Sequence, residues 1–224
     1  MSSRRRAVVI SNDEPDSSYG AGRLGAAFAE RFDVELVSPL AGFGEPRDWL
    51  SRARADALVL SGSDRSVLAE LPWMLDEEEI LCRAVSSGVP TLAICFGHQL
   101  LAKALGAAIV TREKRIGLFE VSALGGDPVF SGLGDKVLVP EQHADQVVEL
   151  PAGFELIATS GYCRVQAMRH EALPIYGMQF HPCYDDGVFG EDEAWEELDL
   201  ARSFVHDGAR ILGNTVRLLA DALP

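Results

Sequence analysis

The stretch PTLAICFGHQLLAKALGA, residues 90–107, passes from strand to helix with almost nothing in between. Residues 90–95 form a short apolar run, as expected of a strand buried on both faces. Residues 97–105 read as a helix, and Gly106 supplies its stop. A strand–turn–helix of this kind exposes one side chain, here Cys95, on a sharp turn at the carboxyl end of a strand. Small neighbours suit so crowded a turn, and Ala93 and Gly97 lie two residues to either side of Cys95. The first N–H groups of the helix favour a thiolate and a developing oxyanion at that point. The same spacing also describes a small apolar cysteine packed in a core. On spacing alone both readings stand.

Outward from this stretch, strands are expected at 7–11, 34–38 and 57–61, and helices at 21–31, 46–54 and 74–87, the last stopped by Gly88. Such alternation implies an α/β fold with parallel strands, right-handed crossovers and helices on both faces. Sites in such sheets lie at the carboxyl ends of strands, where Cys95 falls. From 107 the pattern shifts to short β-prone segments near 107–111, 117–123, 136–139, 154–159 and 163–169, separated by Gly, Pro and Asp turns. These read as added antiparallel strands. One more strand at 175–180 runs into His181-Pro182, and the tail returns to helix, roughly 194–221. With no repeat and no low-complexity linker, a single domain over residues 1–224 is expected.

The formal net charge of −14 argues against nucleic-acid and anionic-membrane partners. No run approaches the ~20 apolar residues of a membrane span, and the apolar run after the three N-terminal arginines is too short for a signal-peptide core. The four cysteines, at 82, 95, 163 and 183, form no CxxC pair. The reading is a reduced, cytoplasmic protein. DEEE at 76–79 reads as the solvated, acidic first turn of its helix. EDEAWEELD at 191–199 reads as a solvated face, a docking face for a basic partner, or a self-association surface giving a homodimer.

Four ordered segments resemble the class I, triad-type glutamine amidotransferases. AICFGHQLLAKALGA is similar to the family's nucleophile segment, G-x-C-x-G-x-Q. LVLSGSDRS (58–66) resembles its strand and glycine loop, usually SGGP. EQHADQVVELPAGFELIATS (141–160) resembles a segment of the amidotransferase domain of GMP synthases. YGMQFHP (176–182) resembles G-x-Q-F-H-P-E, which carries the catalytic histidine. The resemblance covers about residues 7–183 and leaves 184–224 as an acidic, helical C-terminal extension. It implies a three-layer, flavodoxin-like fold with a mainly parallel central sheet, an added antiparallel β segment and a C-terminal helix. It further implies that Cys95 attacks a γ-glutamyl amide and forms a thioester, with His181 moving the proton. The N–H of Phe96 and one from the Gly62–Ser63 turn would hold the oxyanion. Gln99 and the backbone around Gln142 and His143 would bind the substrate's amino-acid end.

Three departures from the family pattern bear on this reading. Ala93 stands for the first elbow glycine. Ser63-Asp64 stands for Gly-Pro in the oxyanion loop, and serine resists a positive φ if the loop needs one at 63. Cys183 stands where the family carries the glutamate that orients the histidine, and a thiol lacks that charge. Asp185 or Asp186 is a candidate substitute. Cys95, His181 and Cys183 would also make a zinc-type donor set, though their spacing is no recognised zinc pattern. A regulatory disulfide at Cys183 is disfavoured inside a cell. His143 and Asp145 read either as a contact near an ammonia-accepting partner or as a hydrogen-bonded loop. His98 reads as a packing residue.

The function expected is that of a hydrolase acting on a γ-glutamyl amide. One substrate is free glutamine, with ammonia passed to a separate partner synthase; the other is a γ-glutamyl amine or peptide. The GMP-synthase-like segments favour the first, and the long tail after the histidine motif favours the second, as in stand-alone γ-glutamyl peptidase-like members. The alternative, motivated by Cys183 and Asp64, is a catalytically impaired binding or regulatory protein with the same fold. No metal is expected, and haem, flavin and nicotinamide cofactors have no motif here.

Overall fold

The computed structural model of the chain describes residues 4–12, 20–190, 195 and 204–223. In chain order its strands are β1 (Arg6–Ile10), β2 (Asp33–Val37), β3 (Ala57–Leu60), β4 (Thr91–Ile94), β5 (Ile109–Ala123), β6 (Lys136–Val147), β7 (Phe154–Thr159), β8 (Ala167–His170) and β9 (Ile175–Met178). The helices are α1 (Ala21–Phe28), α2 (Pro46–Ala53), α3 (Pro72–Ser86), α4 (Phe96–Ala104) and α5 (Gly208–Asp221). All these strands join one sheet in the order β2-β1-β3-β4-β9-β8-β7-β5-β6. The first five in that order are parallel, and the rest continue antiparallel.

Side-chain alternation along the parallel strands builds two cores. Ala7, Val9, Ala57, Val59, Leu92 and Ile94 face Leu24 and Phe28 of α1 and Ile211 and Leu219 of α5. Val8, Ile10, Leu58, Leu60 and Ala93 face Ile80 and Leu81 of α3 and Phe96 and Leu100 of α4. The result is three layers, with β1, β3 and β4 buried on both faces, as their unbroken apolar runs require. The chain reverses its winding between β1 and β3, the kind of switch point at which open α/β sheets place their sites.

Several expectations change. The segments 107–111 and 117–123 belong to one long strand, β5, with an irregularity between Thr111 and Arg115. Strand 136–139 continues to Val147, so the polar EQHADQ run is a strand, most of it buried. The strand expected at 163–169 is shortened to Ala167–His170. The tail helix begins at Gly208; of the acidic 191–199 stretch all but Trp195 lies outside the described residues. The DEEE run is not a solvated first turn either. α3 starts at Pro72, and Glu77 is fully buried. β6 forms one edge of the sheet, yet its outer main-chain groups at Leu138 and Pro140 are occupied. The N–H of Asp207 donates to Leu138 O (2.9 Å) and that of His181 to Pro140 O (2.8 Å). The N–H of Leu138 in turn donates to Asp207 Oδ2 (2.8 Å).

Glu77 sits beneath the carboxyl ends of β1 and β3. Asn12 Nδ2 donates to its Oε1 (3.1 Å), and the Asn12 N–H donates to Ser61 Oγ (2.9 Å). Ser61 Oγ–H in turn donates to Gly62 O (2.8 Å). Burial pushes the Glu77 carboxyl up from 4.5 to about 8, opposed by the Asn12 hydrogen bond. The folded chain therefore keeps this proton to about pH 8, while the unfolded chain releases it near 4.5. Its stabilisation is complete below about pH 4.5 and is lost as pH rises toward 8. Glu77→Gln, which mimics the protonated form, is expected to flatten this slope and to raise stability at pH 7 by about 2–4 kcal/mol. Denaturant unfolding of both proteins from pH 4 to pH 9 checks it; parallel curves would show that Glu77 is ionised when folded.

Candidate active site

Cys95 follows β4 and caps α4, with backbone angles φ 49° and ψ −104°. Such a conformation costs a non-glycine residue on the order of 1–3 kcal/mol and persists only where its surroundings hold it. Here the Cys95 N–H donates to Met178 O (2.8 Å), the Gly97 N–H to Ser61 O (3.2 Å) and the Gln99 N–H to Cys95 O (3.0 Å). Gly97 is pressed against β3: a Cβ there would lie 2.6 Å from Leu60 Cβ and 3.1 Å from Leu60 O. Ala93, at the other side of the elbow, pairs with Gly177 and fits without exposure. Gly177 itself leaves room for His98, whose Nδ1 would meet a Cβ at 2.5 Å. His98 is fully buried, and burial pushes its imidazole down to about 3. It is a packing residue.

The Cys95 Sγ–H points to Gln142 O (3.6 Å), and Gln179 Nε2 donates to the sulfur (3.7 Å). Gln99 Nε2 donates to Asp145 O (2.8 Å) and to Gln179 Oε1 (3.3 Å). The Asp145 carboxylate accepts from Thr111 Oγ1 (2.6 Å) and from Ser66 Oγ. Above them opens a pocket of about 240 Å³ whose lining includes Cys95, Gln99, Asp64, Arg65, Lys114 and Gln142. Gln179 was visible in the YGMQFHP motif, but nothing in the sequence tied it to the cysteine.

His181 follows β9, and its ring lies against the Gly62 turn. A Cβ at Gly62 would be 2.9 Å from His181 Cε1 and 3.7 Å from Cys95 Cβ. Three parallel strands thus deliver Gly62, Cys95 and His181 to one point. Neither His181 ring nitrogen completes a hydrogen bond of ordinary geometry among the described residues. Burial, then the charge of His143, pushes His181 down to about 3, with the Gln142 main chain opposing. At pH 7 the ring is neutral, able to take a proton but a weak base.

The oxyanion turn avoids the conflict expected at Ser63. Among the described residues the non-glycine residues at positive φ are Arg54, Glu70 and Cys95. Gly62 is required instead for the space that His181 occupies. Phe96 carries the first N–H of α4, which has no acceptor within the helix. Asp64 is exposed on the rim. Cys183 is buried among the apolar residues on the α1 and α5 side. The Asp185 carboxylate, the candidate substitute for the missing glutamate, pairs with Arg23 (3.0 Å) and accepts from the Gly187 N–H (3.0 Å).

His143 is a buried residue of β6, not a loop histidine. Its Nε2 meets Glu141 Oε2 (3.3 Å) and its Nδ1 meets Asp145 O (3.2 Å). Glu141, fully buried, also pairs with Arg115 (2.9 Å) and accepts from Gln166 Nε2 (2.9 Å). Among the described residues no three His, Cys, Asp or Glu side chains converge as metal ligands would, and Cys82 and Cys163 are free thiols.

Two glycine substitutions separate the roles of this scaffold. Gly97→Ala drives a methyl group into β3 and is expected to cost about 2–4 kcal/mol or to prevent folding. Gly62→Ala meets only a ring edge, so its expected cost is below about 1 kcal/mol. It should nevertheless change the pH dependence of Cys95 alkylation by iodoacetamide, because the ring must move. Unfolding curves and thiol-labelling rates check both; unchanged labelling in Gly62→Ala would separate His181 from the thiol.

Comparison with known proteins identifies the family and the fold. Residues 29–193 match the family described as glutamine amidotransferase class-I. A glutamine-hydrolysing GMP synthase subunit from Pyrococcus abyssi is 46% identical over 116 residues, which are 51% of this chain and 62% of that protein. Its counterpart from Methanopyrus kandleri is 37% identical over 143 residues, 63% of this chain and 73% of that protein. The matched part spans 50–62% of the length of the first four curated relatives. A glutamine amidotransferase structure from Thermotoga maritima superposes with a TM-score of 0.75 at 20% identity, covering 96% of each chain; at that identity the likeness is one of fold. No described helix is long and apolar enough to cross a membrane.

Proposed function

This chain belongs to the class I glutamine amidotransferase family, and we propose that it hydrolyses a γ-glutamyl amide, glutamine first, through a cysteine thioester. The observation that carries the proposal is the meeting of Cys95, His181 and Gly62 at the carboxyl ends of β4, β9 and β3. In this reading Cys95 Sγ attacks the γ-carbonyl carbon. His181 takes the thiol proton and returns it to the departing nitrogen, which leaves as ammonia. Water then cleaves the thioester to glutamate, with His181 acting as base again. The Phe96 N–H and the Gly62–Ser63 turn face the carbonyl oxygen as it becomes negative. Gln99 and the strand around Gln142 and His143 line the amino-acid end of the pocket. The Gln99 amide nitrogen is already committed to Asp145 O, so its part in binding is to hold the pocket wall.

The names of the curated relatives favour glutamine as substrate and a separate partner synthase to accept the ammonia. That all the strands share one sheet supports reading the chain as one amidotransferase-like domain. A γ-glutamyl amine fits the same chemistry, with an amine leaving in place of ammonia. The second reading, an impaired site, is favoured by the same histidine: burial, then His143, holds its ring down to about 3, and Cys183 stands where the family carries a glutamate.

Ammonia and glutamate release from glutamine, and glutamate release from γ-glutamyl amines, test the proposal. Cys95→Ala is expected to abolish turnover. In Cys183→Glu a carboxylate favours the imidazolium, so His181 rises, the acid limb of kcat/KM moves to higher pH, and kcat climbs by about tenfold or more. Turnover that survives in Cys95→Ala would remove the thioester mechanism. A wild type silent on every substrate, with Cys183→Glu active, would establish the impaired reading.

A further inference from the structure

We propose that Tyr184 is the positioning residue for His181, doing by ring stacking what the family's carboxylate does by charge. The rings of His181 and Tyr184 stack with centroids 4.2 Å apart and planes inclined by 21°. This face-to-face contact and the Gly62 turn on the ring edge fix its plane, with the Gln142 main chain as a further hydrogen-bond partner.

Tyr184 is in turn anchored. Its hydroxyl donates to Gln142 Oε1 (3.3 Å), and the same oxygen accepts from Trp195 Nε1 (2.6 Å). Gln142 also presents its main-chain oxygen to Cys95 Sγ (3.6 Å), so one residue touches both the nucleophile and the support of the base. Behind Tyr184 the rings continue edge to face through Trp195 (5.8 Å), Phe204 (5.5 Å) and His206 (4.8 Å). The series closes where His206 Nε2 meets Tyr184 O (3.1 Å). The C-terminal part of the chain therefore reaches the histidine through aromatic contact. Stacking fixes a plane without supplying a full counter-charge, so it orients the imidazole and gives the imidazolium only the weak attraction of the ring face.

This inference rests on the thioester reading, so its test includes a measurement that needs no turnover. Tyr184→Phe keeps the ring, Tyr184→Leu keeps apolar volume without a ring, and Tyr184→Leu/Cys183→Glu adds the family's carboxylate. In the single Leu variant kcat is expected to fall by about tenfold or more with KM within about twofold, while Tyr184→Phe stays within about threefold of wild type. The double variant is expected to regain most of the loss. Independently, the ring protons of His181 should show the upfield shift of a stacked ring in the wild type and in Tyr184→Phe, and lose it in Tyr184→Leu. The chain has five histidines, and a His181→Gln spectrum assigns the signal. An unshifted signal in the wild type, or equal loss of kcat in the Phe and Leu variants, would overturn the inference. A shifted signal in a wild type that turns over neither glutamine nor γ-glutamyl amines would retain the positioning and sink the proposed reaction.

Discussion

One backbone conformation governs the site. At Cys95 the chain turns from strand to helix in a single residue, and the positive φ that allows it is unfavourable in isolation. The neighbouring parallel strands supply the restraint. Met178 of β9 holds the Cys95 N–H, Ser61 after β3 holds the Gly97 N–H, and α4 lies so close to β3 that only glycine fits at 97. The order β3-β4-β9 thus assembles the site: the two strands flanking the cysteine also lead into the Gly62 turn and into His181. Moving any of the three would relax the elbow and separate the reacting groups together.

The electrostatic plan of the interior is unusual for where its carboxylates lie. Glu141 is fully buried, yet it serves Arg115, Gln166 and His143. Glu77, equally buried, lies under the oxyanion turn and is held in its protonated range. Both brace the frame. Beside His181, where a negative charge would stabilise an imidazolium, stand an aromatic ring and a thiol-bearing neighbour.

Most of the frame was legible because buried parallel strands write continuous apolar runs, and 7–11, 57–61 and 90–95 do so. The elbow was legible because a strand meets a helix with a cysteine between small residues. What was hidden follows physical rules as well. The polar run PEQHADQ carries no apolar alternation, because its buried side chains find partners on other elements: Arg115 and Gln166 for Glu141, Thr111 and Ser66 for Asp145, Tyr184 and Trp195 for Gln142. The charged 111–115 stretch reads as a turn although it continues a strand. Gln179 and Tyr184 act through contacts across the sheet, and Glu77 was masked inside an acidic run whose other members sit on a helix surface. Serine at 63 looked like an obstacle only because the loop was assumed to need a positive φ there.

The outer edge of β6 has a consequence for how this chain meets others. A strand at the end of a sheet normally offers a row of free amides and carbonyls to any passing strand. On β6 Asp207 brackets Leu138 from both sides, Pro140 has no N–H to give, and its carbonyl is taken by the main chain of His181. At Leu138 and Pro140 the strand is thereby closed to sheet extension. Whatever docks on this face must be recognised through side chains, and a chain that unfolded locally enough to offer this edge for pairing would first have to release its histidine.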